Sequence, residues 1–303
     1  RKSFSFYLDK IAPEITVKIE GDQHETAGNF FVSANTRINM TATDNKAGVE
    51  GIYYNINRTG KTKFSSPFAI PAKGGVHNII YWAVDNVENQ TAGRSVASAV
   101  GNKKIFMDNR PPTTGISYGK PQFFDRDTLF INKDTKIYLK SRDYESGVAK
   151  IEYKVDGGGG TTYSSAFNVS APGNHTVSFY ATDNVNNAEQ SKESKFFVDN
   201  EPPVIHHNFS IEPIGTKKKG GKTVNIYPNY TRLYLGATDE DCGTHRITYS
   251  LNGAEARDYS SPYTLDVSEV RRFRKNTFHE VEVKAYDKLG NVSTQMISFF
   301  VGE

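Results

Sequence analysis

The chain has 303 residues, with 37 lysines and arginines against 34 aspartates and glutamates. That near-neutral balance offers no basic field for nucleic acid or an anionic bilayer, and no apolar run approaches the roughly 18 residues of a membrane span. Its one cysteine excludes an intrachain disulfide, so the fold must be held by its core.

In chain order, the first element is Phe6-Tyr7-Leu8-Asp9-Lys10-Ile11-Ala12-Pro13, an aromatic strand that runs through an aspartate into a proline. The same junction returns as Asp108-Asn109-Arg110-Pro111-Pro112 and as Asp199-Asn200-Glu201-Pro202-Pro203. Residues 1–9 therefore read as the last strand of a preceding repeat, followed by repeats at 10–109, 110–200 and 201–303. A period of roughly 100 residues is the size of an immunoglobulin-like sandwich.

Within each repeat the elements keep their order and spacing. Thr36-Arg37-Ile38, Thr135-Lys136-Ile137 and Thr231-Arg232-Leu233 open equivalent strands leading to Asp44, Asp143 and Asp239. Eight residues further stand Ile52, Ile151 and Ile247, each followed by Tyr54, Tyr153 or Tyr249 two places on. Next come Phe64 to Phe68, Tyr163 to Phe167 and Tyr259 to Tyr263, each around a Ser-Ser pair, and then His77, His175 and His279, eight residues before Asp85, Asp183 and Asp287. Alternation such as Ile137, Leu139 and Ser141 with polar residues between predicts strands, and Asp156-Gly157 and Asn252-Gly253 predict hairpin turns. No segment carries a capped helical stripe. The pattern predicts an all-β chain of three tandem immunoglobulin-like sandwiches, with seven strands each. Pro-Pro junctions hold them in an extended rod.

Ser146-Gly147-Val148, Ile151 to Gly157, Gly173-Asn174-His175-Thr176-Val177, Tyr180 to Asn187 and Val198-Asp199-Asn200 together resemble bacterial immunoglobulin-like surface-protein repeats. The likeness is to the family labelled as a β-barrel domain of a leptospiral outer-membrane protein, and it spans nearly the whole chain. The third repeat departs most, with Lys288 after Asp287, an insert from Asp266 to Thr277, and Cys242-Gly243-Thr244 in place of Ser-Gly-Val. At the C-terminus Gly302 stands where the junction aspartate is expected. The resemblance implies a bacterial cell-surface, extracellular or periplasmic setting, a spacer or adhesive role beside further repeats, and no catalytic residue. Alternatives of another class are an accessory module of a secreted enzyme or secretion assembly, or a carbohydrate-binding module using Phe123, Phe124 or Trp82.

Little else carries chemistry. Gly215 to Thr223 nearly spells a phosphate-binding loop, but the spacing is wrong and no helix follows. A hairpin tip fits better. The three histidines belong to different repeats and read as strand-start residues bonded to a neighbouring loop. Cys242 replaces Ala47 and Ser146 and reads as a small loop residue.

The acidic loops are the one constellation of note. In this topology the loops after the second and sixth strands meet the incoming linker at one end of the sandwich. That gathers Asp108, Asn109, Asp143 and Asp183 at one junction, and Asp199, Asn200, Asp239, Asp241 and Asp287 at the next. Asp9, Asp44 and Asp85 form the first such set, with Lys10 in place of the asparagine. Two readings stand: calcium, which takes roughly 6 to 8 oxygens in loose geometry and is held at cadherin junctions by similar logic, or aspartates that cap their own turns.

Overall fold

The structure is a computed structural model describing residues 2–26, 28–260 and 273–303. The chain is all-β, folded as three immunoglobulin-like sandwiches in tandem, each around its own core. Among the described residues no helix is long and apolar enough to cross a membrane.

The second repeat shows the plan. One sheet pairs the opening strand Thr113–Tyr118 with Ile137–Arg142. The other has six strands in the order Gln122–Asp125, Thr128–Ile131, Lys192–Val198, Gly173–Asp183, Val148–Val155, Thr161–Thr162. Thr128–Ile131 lies parallel to the closing strand Lys192–Val198, and the remaining pairs in this sheet are antiparallel. This makes eight strands, not seven, because residues 122–131 form an added hairpin. Phe123 and Phe124 lie in its outer strand; Phe123 is half-buried and Phe124 is 64% exposed.

The first repeat differs after Asp85. The segment before Lys104 carries the short strand Arg94–Ser95 and one 3-10 turn, Val96–Val100, whose Val96 is fully buried. The strand ahead of it is broken at Asn78 into Gly75–His77 and Ile79–Asp85, which lie in two four-stranded sheets. In the third repeat Gly215–Lys219 and Lys222–Tyr227 form the hairpin, turning through Gly220 and Gly221 at positive φ, so the Gly-rich run is a hairpin tip. The part of the 266–277 insert up to Arg272 lies outside the described residues.

Two local features recur because the backbone demands them. The turns Asp156-Gly157 and Asn252-Gly253 have both central φ values positive (51° and 71°, 52° and 74°), the mirror-image turn that follows strand twist and favours glycine. Register shifts sit at Val49/Gly51, Val148/Lys150 and Thr244/Arg246. The same bulge recurs beside the acidic loop in all three repeats, and a bulge bends its strand locally.

The inward positions form the cores. Ile137, Leu139, Val177, Phe179, Phe196 and Val198 are buried in the second repeat. The repeated tyrosines pack at the margin of each core and not at its centre. Tyr54 stacks on Phe68 at 3.9 Å between ring centroids and Tyr153 on Phe167 at 4.1 Å. Each histidine bridges two loops: Nε2 of His77, His175 and His279 binds the carbonyl of Lys73, Ala171 or Arg274, and Nδ1 meets Asn57, Asp156 or Asn252. Residues 2–13 form no strand. Phe6 and Leu8, which align with the buried Ile105 and Met107, are 89% and 64% exposed.

Tyr153→Ala removes the ring that closes the second core over Phe167. It should lower the stability of that repeat by about 3 kcal/mol and leave the melting of the other two unchanged. Unaltered unfolding of the second repeat would show that the ring is not part of its core.

Candidate functional site

The acidic loops converge at one end of every sandwich. In three groups the ligand-type atoms all lie within 4.8 Å of one another: Asp9, Asp44 and Asp85; Asp108, Asp143 and Asp183; and Asp199, Cys242 and Asp287. Asp108, Asp183, Asp199 and Asp287 are at most 1% exposed.

The linker aspartate does the same work at each junction. Its Oδ2 accepts the loop N–H of Ala47, Ser146 or Cys242 at 2.8, 2.9 and 3.2 Å. Its Oδ1 accepts the N–H two residues on, from Ile11, Arg110 or Glu201. Its backbone carbonyl receives the side-chain amide of Asn89, Asn187 or Asn291 at 3.2, 3.1 and 3.0 Å. That amide also donates to Oδ2 of Asp85, Asp183 or Asp287, at 2.7 Å in every case. Oδ1 of these aspartates accepts two backbone N–H groups, for Asp183 those of Val185 and Asn187 at 2.9 and 2.8 Å.

The loop aspartates after the second strand cap their own turns. Asp44 Oδ1 accepts from Lys46 and Gly48, Asp143 Oδ1 from Glu145 and Gly147, and Asp239 Oδ1 from Gly243. The asparagine amides do not join the clusters as the sequence suggested. Asn109 Nδ2 donates to the Ala72 carbonyl; Asn200 Nδ2 donates to Ser170 and its Oδ1 accepts from Lys133. Both bind the repeat they leave, because a residue directly after the buried aspartate points to the opposite side of an extended linker. In the third group the Cys242 thiol, not Asp239, stands with Asp199 and Asp287.

The residue that sequence reasoning missed is the bridging asparagine. Its signal was present as Asp-x-x-x-Asn, repeated at Asp85/Asn89, Asp183/Asn187 and Asp287/Asn291.

Some polar atoms at these ends have no partner. Asp44 Oδ2, Ser146 Oγ and Glu145 Oε2 are buried without a hydrogen bond, and Ser146 is 2% exposed beside Asp108. Burial raises the Asp183, Asp239 and Asp287 carboxyls, and repulsion from the linker aspartate adds to it. Burial opposes ionisation of Asp108 as well, but hydrogen bonds from Glu145 and from the Ser146 and Arg110 N–H groups outweigh it and leave that carboxyl lowered. Glu145 is raised to about 7 by burial, then by Asp108. The Cys242 thiol is pushed up by burial and by Asp199, which keeps it neutral and a poor nucleophile.

No protein-family model matches the chain, and no curated protein matches it; the expected leptospiral likeness gains no support there. Among solved structures it is similar to a segment of a 1.5-MDa bacterial ice-binding adhesin, with 13% identity over 97% of this chain and 99% of that one, at TM-score 0.37. It is also similar to fibronectin(III)-like modules of Clostridium thermocellum CbhA, with 18% identity over 60% of this chain and 94% of that one, at TM-score 0.33. Extracellular cadherin domains 3–6 of protocadherin gamma B2 match at 12% identity over 90% of this chain and 70% of that one, at TM-score 0.23. At this level the likenesses carry no argument about function.

Glu145 makes the second junction sensitive to pH. Its carboxyl lies above its ordinary 4.5 in the folded chain. The folded state therefore holds the proton more tightly, and this stabilisation is complete below the ordinary value and lost as pH rises through about 7. Between about pH 5 and about pH 8 the wild-type melting temperature should fall relative to that of Glu145→Gln. Parallel profiles for the two proteins would remove Glu145 from the account.

Proposed function

We propose that the chain is a non-catalytic spacer or adhesive stalk of a larger bacterial surface or envelope protein, working outside the cytoplasm. The observation that carries this reading is the thrice-repeated receptor for a linker aspartate. Each sandwich is built at one end to receive the strand end of the unit before it. Asp9 fills the first receptor in the same way as Asp108 and Asp199 fill the others. Such a stalk transmits position and tension, so its units should yield separately. Pulling the chain in a force spectrometer should give three unfolding events, each releasing on the order of 300 Å of chain at roughly 3.3–3.6 Å per residue. One cooperative event would contradict a mechanical spacer.

We further propose calcium at the second junction, where Asp108, Asp143 and Asp183 converge; at the next, Cys242 stands with Asp199 and Asp287 in the place expected for Asp239. The buried unpartnered Ser146 Oγ and Glu145 Oε2 beside Asp108 support this, as do the carboxyls raised by burial and mutual repulsion. Asn109 and Asn200 would offer no side-chain oxygen there. Against it stands the asparagine amide, which already donates to one carboxylate at each end and at the second junction lies against both Asp183 and Asp108.

Calcium added to the chelated protein should raise the melting temperature by mass action, and Asp143→Asn should blunt the rise. Identical melting with calcium and with chelator would leave the turn-capping role alone.

A further inference from the structure

The outer face of the second repeat carries a row of side chains that packing does not require. Tyr138, Lys140 and Arg142 take every second position of Ile137–Arg142, and Tyr144 follows in the loop; the tyrosines are 44% and 85% exposed. The alternate residues Ile137 and Leu139 are buried in the core. Across the antiparallel pairing stand Ser117, Gly115 and Thr113, opposite Tyr138, Lys140 and Arg142 in turn.

A strand of small residues beside a row of long ones leaves an open groove of about 370 Å³. It continues past Thr113 and Arg142 into a hollow of about 150 Å³ lined by Arg110, Asp143, Tyr144 and Glu145. A Cβ on Gly115 would meet nothing within 4 Å, so packing does not demand a glycine there. A missing side chain in a strand interior suits close approach by something else.

Charge indicates what that is. Among the described residues Lys140 and Arg142 form no ion pair. The Arg142 guanidinium donates to the Tyr144 hydroxyl at 3.1 Å and lies 5.7 Å from its ring centroid. The equivalent outward positions are Asn39, Thr41 and Thr43 in the first repeat and Tyr234, Gly236 and Thr238 in the third. The basic row belongs to the second repeat alone.

We propose that this groove binds an anionic polysaccharide chain. Carboxylate or sulfate groups pair with Lys140 and Arg142, which stand roughly 7 Å apart as alternate residues of a strand, and with Arg110 at the end. Arginine suits such oxyanions because its planar fork donates two parallel hydrogen bonds. Tyr138 and Tyr144 offer flat faces to sugar rings, and the Thr113 and Ser117 hydroxyls offer hydrogen bonds to sugar hydroxyls. A single-stranded nucleic acid fits less well. Its recognition rests on a positively charged groove that tracks the backbone, and the chain has almost no net positive charge. The groove adds a ligand to the stalk reading but does not depend on it: a failed force or calcium experiment leaves it intact.

The test is biolayer interferometry of the full chain on immobilised heparin, polygalacturonate, dextran, poly(dT) and polyglutamate. Binding to heparin or to polygalacturonate is expected, with weakening in salt; heparin alone identifies sulfate as the recognised group and polygalacturonate alone identifies carboxylate. The double variant Lys140→Glu, Arg142→Glu should bind at least tenfold more weakly, and Tyr144→Ala several-fold more weakly. Melting should be unchanged in both, since these side chains face solvent. The proposal is overturned if neither anionic glycan binds, if the double variant binds as well as wild type, or if dextran, poly(dT) or polyglutamate binds as tightly as the better glycan.

Discussion

The buried carboxylate of the linker aspartate is the constraint on which the arrangement of the repeats depends. Asp108 leaves one sandwich as the last residue of a strand end and enters the next as the cap of its loops, with both oxygens and its carbonyl engaged. A buried carboxylate without such partners is costly, and removing one partner exposes an unsatisfied group worth about 1–3 kcal/mol. The position of the next repeat is therefore tied to hydrogen-bond geometry at one residue. A hydrophobic interface would tolerate sliding; directional bonds to a loop N–H and an asparagine amide do not.

A second contact lies beside each aspartate. Asn186, in the loop that supplies the bridging asparagine, donates to Asp22 of the first repeat at 2.7 Å. At the next junction Lys288, in the equivalent loop, lies 4.4 Å from the ring centroid of Phe123 in the second repeat. The chemistry differs while the location recurs: the loop after the long strand reaches back to the hairpin end of the preceding sandwich. Two separated contacts oppose bending and twisting where a single linker would allow both. Lys288, which departs from the repeat pattern, and Phe123, which lies outside it, find their partners in each other.

The repeats, the all-β class and the inward residues were legible because alternation and spacing are properties of one strand at a time. The convergence of Asp108, Asp143 and Asp183 was legible as well, since sandwich topology brings those loops to one end. Asn109 and Asn200 were misplaced because adjacency in sequence was taken for adjacency in space, whereas an extended backbone turns successive side chains apart. Asn187 repeats as regularly as Asp183 but was not given its role, because what it does depends on a carbonyl 79 residues away. The groove on the second repeat was hidden for a similar reason. Its two walls are 20 or more residues apart in the chain, and each alone reads as an ordinary solvent face. At the second junction the bridging asparagine also helps two carboxylates coexist, since its amide donates to Asp183 at 2.7 Å and lies 3.5 Å from Asp108 Oδ1.

Small-angle scattering of the wild type and of the double variant Asp108→Ala, Asp199→Ala tests most directly whether these aspartates hold the repeats in line. The wild type should have a radius of gyration well above the roughly 19 Å of a compact globule of this length. The variant, with its three sandwiches still folded, should show a smaller average radius and a broadened distance distribution. Superimposable curves for the two proteins would contradict the account, because the rod would then be held straight by something other than the linker aspartates.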